Sequence, residues 1–295
     1  MKIKKRFLVP ALFLMLFSCT ERIQINTAAS PPQIVIYGYI TSDTTSHAIW
    51  ITRSAGYFST ERPQGISGAE VTISGSDGAF FALAEEPETP GLYRTDDDAF
   101  GREGKTYILN VAVDFQGDGK VTHYRSEATM PVAGSLDSIK LHPSKSLSDH
   151  IEILAFAHLA PGHNNYYNVI VSINNRELND SLRHYQILDD RYIAGDVLTA
   201  FPCYMLDQKE DLYKINVGDT VTLRIDAIPK EYGLFVMNAQ SEIRGSIPLF
   251  GGPPANVPSN IENVDNPSES NALGFFTAYS SARQSVVVKQ EDIVK

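Results

Sequence analysis

From Gln33 onward, apolar and polar positions alternate with a period of two, the spacing of half-buried strands. Ile34, Ile36 and Gly38 alternate with Val35, Tyr37 and Tyr39, so the first strand is expected to be covered on both faces. Ile49-Trp50-Ile51 within 47–53 and Ala69, Val71 and Ile73 within 68–74 continue the pattern. Asp77-Gly78 and Asp118-Gly119 are hairpin-turn dipeptides. The first leads into Phe80-Phe81-Ala82-Leu83, and the second joins 106–115 to 121–130. With 91–94 there are about seven short strands in roughly 100 residues, which predicts an immunoglobulin-like or transthyretin-like β-sandwich over 33–131. The single Trp and two Cys provide no Cys–Trp–Cys core, so an antibody-type domain is excluded.

Met130-Pro131 closes this unit, and 132–135 reads as a linker. A second β-rich domain is expected over 135–295, with strands at 151–159, 166–173, 185–188, 193–201 and 221–228. The period then changes. Tyr232, Phe235, Val236, Ala239 and Ile243 fall at i, i+3, i+4, i+7 and i+11, one face of a helix near 230–244. Pro229 and Gly245 punctuate its ends. Gly233 inside it costs about 1 kcal/mol relative to Ala, so packing must hold the helix. The segment 246–271 carries five Pro, two Gly and five Asn in 26 residues. Loops this long in a compact domain tend to be functional or disordered. Its Ile247, Leu249, Phe250, Val257 and Ile261 have two possible fates. They pack across the protein's own sheets, or Phe250, Pro253, Pro254, Asn260 and Ile261 dock onto a partner. Strand patterning resumes over 273–279, with a last strand at 286–288 and a solvated tail at 289–295.

The N-terminus is of another kind. Lys2, Lys4, Lys5 and Arg6 precede an apolar run over 7–17, broken only by Pro10, and the small residue Ser18 stands before Cys19. This is the layout of a secretory signal over 1–18. The run falls short of the roughly 20 apolar residues that a transmembrane helix needs. Leu16-Phe17-Ser18-Cys19 resembles the bacterial lipobox, which implies that Cys19 is acylated and begins the mature chain. The other reading is an ordinary signal peptide with an incidental Cys. If acylated, the protein is held to outer-membrane lipid through Cys19, since Thr20 stands where an Asp favours inner-membrane retention. Thr20-Glu21-Arg22 offers one acid and one base and leaves the leaflet, periplasmic or cell-surface, undecided. Residues 19–32 form a tether, with a reach of about 45 Å when extended.

Charge narrows the partners. Beyond the signal the chain holds 21 bases and 35 acids, a net charge of −14 that repels nucleic acid and anionic lipid. Cys203 lacks a partner within the chain if Cys19 is lipidated, and its neighbours Phe201 and Met205 make it a buried, inert thiol. There is no nucleophile elbow, no His-Glu-x-x-His and no phosphate-binding glycine loop, so neither a catalytic residue nor a cofactor or metal site is assigned. Asp114, Asp118 and Gly119 suit a hairpin better than a calcium loop, because Gln116 and Arg125 hold ligand positions. Asp96-Asp97-Asp98 reads as a solvated turn, His158 and His163 as isolated histidines, and Asp189-Asp190 as neighbours pointing to opposite faces. Fourteen Tyr, fourteen Phe and one Trp are the stronger clue. Tyrosine joins a rigid apolar body to a polar tip, which suits sugars, peptides or proteins, although β cores use aromatics as well.

Phe250-Gly251-Gly252-Pro253-Pro254, then Asn260-Ile261, then Ala272-Leu273-Gly274-Phe275-Phe276 resembles the C-terminal signature of Bacteroidota-type outer-membrane lipoproteins of domain-of-unknown-function family 4249. The lipobox, Ile34-Val35-Ile36-Tyr37-Gly38, Gly68-Ala69-Glu70-Val71, Gly91-Leu92-Tyr93, Gly104-Lys105-Thr106-Tyr107, Met130-Pro131 and Glu231-Tyr232 follow in the family's order. The resemblance implies work beside a TonB-dependent outer-membrane receptor and supplies no catalytic residues. The expectation is a non-enzymatic accessory binding protein for nutrient uptake, its ligand a peptide or a glycan. An adhesin or structural surface protein is the first alternative, and a hydrolase with a non-standard site the second.

Overall fold

The computed structural model describes residues 31–55, 62–162, 164–244, 257–267 and 271–293. Cys19 with its signal and the tether as far as residue 30, and Phe250, Pro253 and Pro254, lie outside them. The first strands are β1 (Ile34–Thr41), β2 (Ala48–Arg53), β3 (Glu70–Gly75), β4 (Phe80–Glu85) and β5 (Leu92–Arg94). Then come β6 (Thr106–Val113), β7 (Thr122–Thr129), β8 (Ser135–Pro143), β9 (His150–His158) and β10 (Tyr166–Ile173). After β11 (Arg176–Glu177), β12 (Gln186–Asp189), β13 (Val197–Asp207) and β14 (Thr220–Ile228), helix α1 runs from Lys230 to Arg244. The chain continues with β15 (Glu262–Asn263), β16 (Leu273–Val287) and the short α2 (Gln290–Ile293). The fold is mainly β, as the alternation predicts. Among the described residues no helix is long and apolar enough to cross a membrane.

One sheet of thirteen strands runs in the order β11-β10-β14-β16-β1-β2-β5-β4-β3-β6-β7-β15, with β12 also on β10. It curls back on itself, so that Ile36, Ile40 and Ile51 of β1 and β2 share a core with Ile73, Leu109 and Val111 of β3 and β6. A three-stranded sheet, β13-β9-β8, covers the inner face of the other end. There Ile153 and Ala155 meet Val171, Leu223 and Leu206.

The linker expected at 132–135 does connect β7 to β8, but it does not separate two domains. β1 pairs in parallel with β16, from Val35↔Leu273 to Thr41↔Tyr279, and residues 32–295 form one compact unit. The strands expected at 273–279 and 286–288 are one strand of 15 residues. Its first half lies against β1 and its second half against β14, from Ala227↔Ser280 to Thr220↔Val287. Gly274 permits the close approach to β1. Its φ is +98°, and a Cβ there would stand 2.1 Å from the Ile36 carbonyl oxygen.

β14 leaves the outer edge of residues 273–279 uncovered, and Asn260 covers it. The Asn260 amide Nδ2 donates to the Phe276 carbonyl at 2.8 Å, and its Oδ1 accepts from the Phe276 N–H at 2.9 Å. Ile261 next to it is 1% exposed, within the core of β1, β2 and β6. Of the two fates open to 246–271, these two residues follow packing.

Helix α1 occupies the predicted span. Tyr232, Phe235, Val236 and Ala239 are buried, but Ile243 is 48% exposed. It shares their angular face yet lies one turn beyond the residues α1 packs on, Tyr166, Ile228 and Phe275. Gly233 has its reason here: a Cβ would meet the Tyr166 ring at 2.7 Å, so the helix can rest directly on that ring.

Candidate binding face

The outward residues of the central strands follow from the period of two. On β1, Ile34, Ile36 and Ile40 enter the core, and Tyr37 and Tyr39 face away from it. On β16, Phe276 and Ala278 point inward, and Phe275, Thr277 and Tyr279 point outward. Arg224 and Asp226 continue the alternating polar positions of β14 that begin with Thr220 and Thr222, and lie on the same outward side. Helix α1 and the segment 182–185 cover part of this face, tied together by Gln240, whose Nε2 donates to the Leu182 and Tyr185 carbonyls at 2.8 and 2.7 Å.

Tyrosines converge here. The Tyr37 and Tyr232 hydroxyls lie 2.7 Å apart, with the Tyr185 hydroxyl in reach of Tyr37. The rings of Tyr39 and Tyr279 sit 5.4 Å apart and tilted, a favourable arrangement. Burial pushes the Tyr37 hydroxyl up to about 12, and raises Tyr39, Tyr185, Tyr232 and Tyr279 as well. All five therefore stay neutral, each able to donate and accept a hydrogen bond.

Among them lies an ion pair. Asp226 is 2% exposed, 3.1 Å from Arg224 Nε, and accepts from Ser281 Oγ at 2.7 Å. Burial pushes its carboxyl up to about 6, against the opposing pull of the Arg224 guanidinium. Arg224 reaches on to Glu177 at 2.8 Å. At the rim, Arg283 pairs with Asp43. Trp50, in register with Tyr37 across β1 and β2, is 39% exposed. The arrangement can read a ligand through hydroxyl, carboxylate and guanidinium groups beside flat aromatic surfaces.

The other residues singled out from sequence do not gather into a site. Asp114 accepts from the N–H groups of Gly117, Asp118 and Gly119 at 2.7, 3.2 and 2.8 Å, which closes the β6–β7 hairpin. Asp189 pairs with Arg191, whereas the buried Asp190 accepts from Asn165. His158 pairs with Asp137 at 2.9 Å, and His163 lies outside the described residues. Asp96, Asp97 and Asp98 are exposed in a turn region. Cys203 is buried, its thiol pushed up to about 12 by desolvation, and so is inert. Among the described residues no group of three or more His, Cys, Asp or Glu could hold a metal ion. Sequence reasoning passed over Arg224 and Asp226. Their signal is a pair of opposite charges at alternate positions, on the face that Thr220 and Thr222 begin.

A family model described as Domain of unknown function (DUF4249) matches residues 20–285. No curated protein matches the chain. Among solved structures, the chain is similar to the FN1–FN3 domains of chicken CNTN1, at 12% identity and a TM-score of 0.25, over 67% of this chain and 62% of that one. It is also similar to apo β-glucuronidase 3 of Bacteroides uniformis, at 9% identity and a TM-score of 0.22, over 66% of this chain and 23% of that one.

Proposed function

The chain belongs to the DUF4249 family, and we propose that it is a non-catalytic binding protein, carried on outer-membrane lipid through Cys19 and working beside a TonB-dependent receptor. The tyrosine-lined face captures a ligand, and the receptor imports it. The observation that carries this reading is the Arg224–Asp226 pair at the base of that face, with Asp226 buried and Arg224 partly exposed. Withdrawing the Asp226 carboxylate from water costs several kcal/mol, and apolar replacements of buried ion pairs are often neutral or stabilising. The exposed part of Arg224, beside Glu177, offers a polar ligand a charged partner on this face. The lipobox and the family likeness supply the anchor and the receptor.

The test is co-isolation of the tagged full chain from outer membranes in mild detergent. The reading expects a TonB-dependent receptor in amounts comparable with the bait. It also expects Cys19→Ser to move the protein to the soluble fraction and to lose the receptor. A bait recovered alone, or a Cys19→Ser variant that sediments like wild type, contradicts the reading. Recovery with host or matrix components and no receptor favours an adhesin instead.

A further inference from the structure

The chemistry of the tyrosine face narrows its ligand. At this face β1 and β14 are paired along both edges, and the outer edge of β16 over 273–279, which β14 leaves bare, is capped at Phe276 by Asn260. A peptide is recognised along its main chain by a free strand edge, and the Asn260 cap interrupts the one bare edge at Phe276. A ligand on this face must be read by side chains. Those present are neutral hydroxyls and paired charges: Arg224, Arg283 and Arg94 against Asp226, Glu177, Asp43 and Glu86. With every cation already paired and one acid in excess, the face does not favour an anionic ligand.

Two further polar atoms point to a ligand rich in hydroxyls. Thr277 lies between Phe275 and Tyr279 on β16 and in register with Tyr39. It is 1% exposed, and its Oγ1 has no hydrogen-bond partner. Asn168 is in register with Asp226 on the same side of the sheet, and its buried Oδ1 is likewise unpartnered. Buried polar atoms are nearly always satisfied, so each unsatisfied one needs an account. Trp50 and Tyr39 add flat apolar surface of the kind that lies against the C–H face of a sugar ring. Ala48, in register with Arg94, keeps the floor low between β1 and β5.

Resting on the reading of this face as a binding surface, we propose that its ligand is a neutral, polyhydroxylated saccharide, read by hydroxyls and the Arg224–Asp226 pair and stacked on Trp50 and Tyr39. Trp50 is the single tryptophan of the chain, so its emission reports on this face alone. The lipidated full chain, in a detergent without sugar headgroups, is titrated with short neutral oligosaccharides of glucose, mannose, galactose and xylose. Oligogalacturonates and a pool of random decapeptides form the comparison arms.

The expected result is a saturable emission change with at least one neutral series, at a Kd below about 1 mM. Tyr39→Ala and Glu177→Gln each weaken it by about tenfold or more, with melting temperatures close to wild type. Glu177→Gln keeps the test open if Tyr39→Ala folds poorly. No saturation by any neutral series up to about 20 mM, or saturation indifferent to both variants, overturns the proposal. Preference for decapeptides or oligogalacturonates, lost in the variants, overturns the saccharide and leaves the binding face standing. Failure of receptor co-isolation is a separate result and bears on the functional reading alone.

Discussion

Replacing Asn260 by Ala tests how the loop after α1 is used. The side-chain amide brackets Phe276, with hydrogen bonds of 2.8 and 2.9 Å to its carbonyl and N–H. Phe276 itself is fully buried. A buried donor or acceptor left without a partner costs about 1–3 kcal/mol, so two orphaned groups cost about 2–6 kcal/mol. Asn260 is only partly shielded, so water reaches the vacated edge and the lower half of that range applies, about 3 kcal/mol. For a unit of this size 1 kcal/mol shifts the melting temperature by about 2–4 °C, which gives a fall of about 6–12 °C. The assay is thermal and urea unfolding followed by circular dichroism, in the Cys19→Ser background. Asn260→Asp sharpens the test. It keeps an acceptor for the Phe276 N–H but sets a carboxylate oxygen against the Phe276 carbonyl. That variant is expected to be less stable than Asn260→Ala at neutral pH, and to recover as the pH drops below about 4, where a protonated carboxyl can donate again. A melting temperature unchanged in Asn260→Ala, with loss of receptor co-isolation, would refute the packing account and assign Asn260 to docking.

Three other perturbations follow from the same structure. Asp226 has its carboxyl raised to about 6 from 3.8, so the folded state holds its proton more tightly than the unfolded state does. The resulting stability is fully present below about 3.8 and lost as the pH rises through about 6, an integrated change of about 3 kcal/mol. In urea titrations, Asp226→Asn should gain about that much relative to wild type between pH 4 and 7; a flat difference refutes the assignment. Gly274→Ala should cost at least about 3 kcal/mol in urea unfolding, from a strained φ plus the clash with Ile36. Gly104→Ala, also at positive φ but with open space around its Cβ, should cost only about 1–2 kcal/mol; equal losses would mean that the β1–β16 approach is not tight. The fragment 32–131 lacks β16 and so leaves one edge of β1 bare. It should melt without cooperativity by circular dichroism, whereas a sharp transition would show that this half folds alone.

Local patterns in the sequence were enough to place the hairpins and α1, because each depends on residues a few positions apart. Asp114–Gly119 and the Tyr232–Ala239 stripe are read that way. The union of the two halves was not legible. Ser281 N donates to Ser42 Oγ across 239 positions, and no local period encodes such a pairing. Asn260 read as one more turn-former in a Pro/Asn segment. Its service as a stand-in strand residue depends on where β14 stops. Likewise, the abundance of Tyr was visible from composition, but the grouping of Tyr39, Tyr279 and Asp226 needed the order β14-β16-β1. The charges on β14 were the one local hint of a site, because an Arg and an Asp two apart share a face of a strand.

The most direct measurement of the central claim, that the tyrosine face is the recognition surface, is photo-cross-linking in living cells from a benzoylphenylalanine introduced in place of Trp50. Leu147, on the β8–β9 connection and 45% exposed against 39% for Trp50, is the matched control position. The account predicts an adduct on illumination from position 50 and none from position 147. Equal adducts from both positions, or none from position 50, would contradict it.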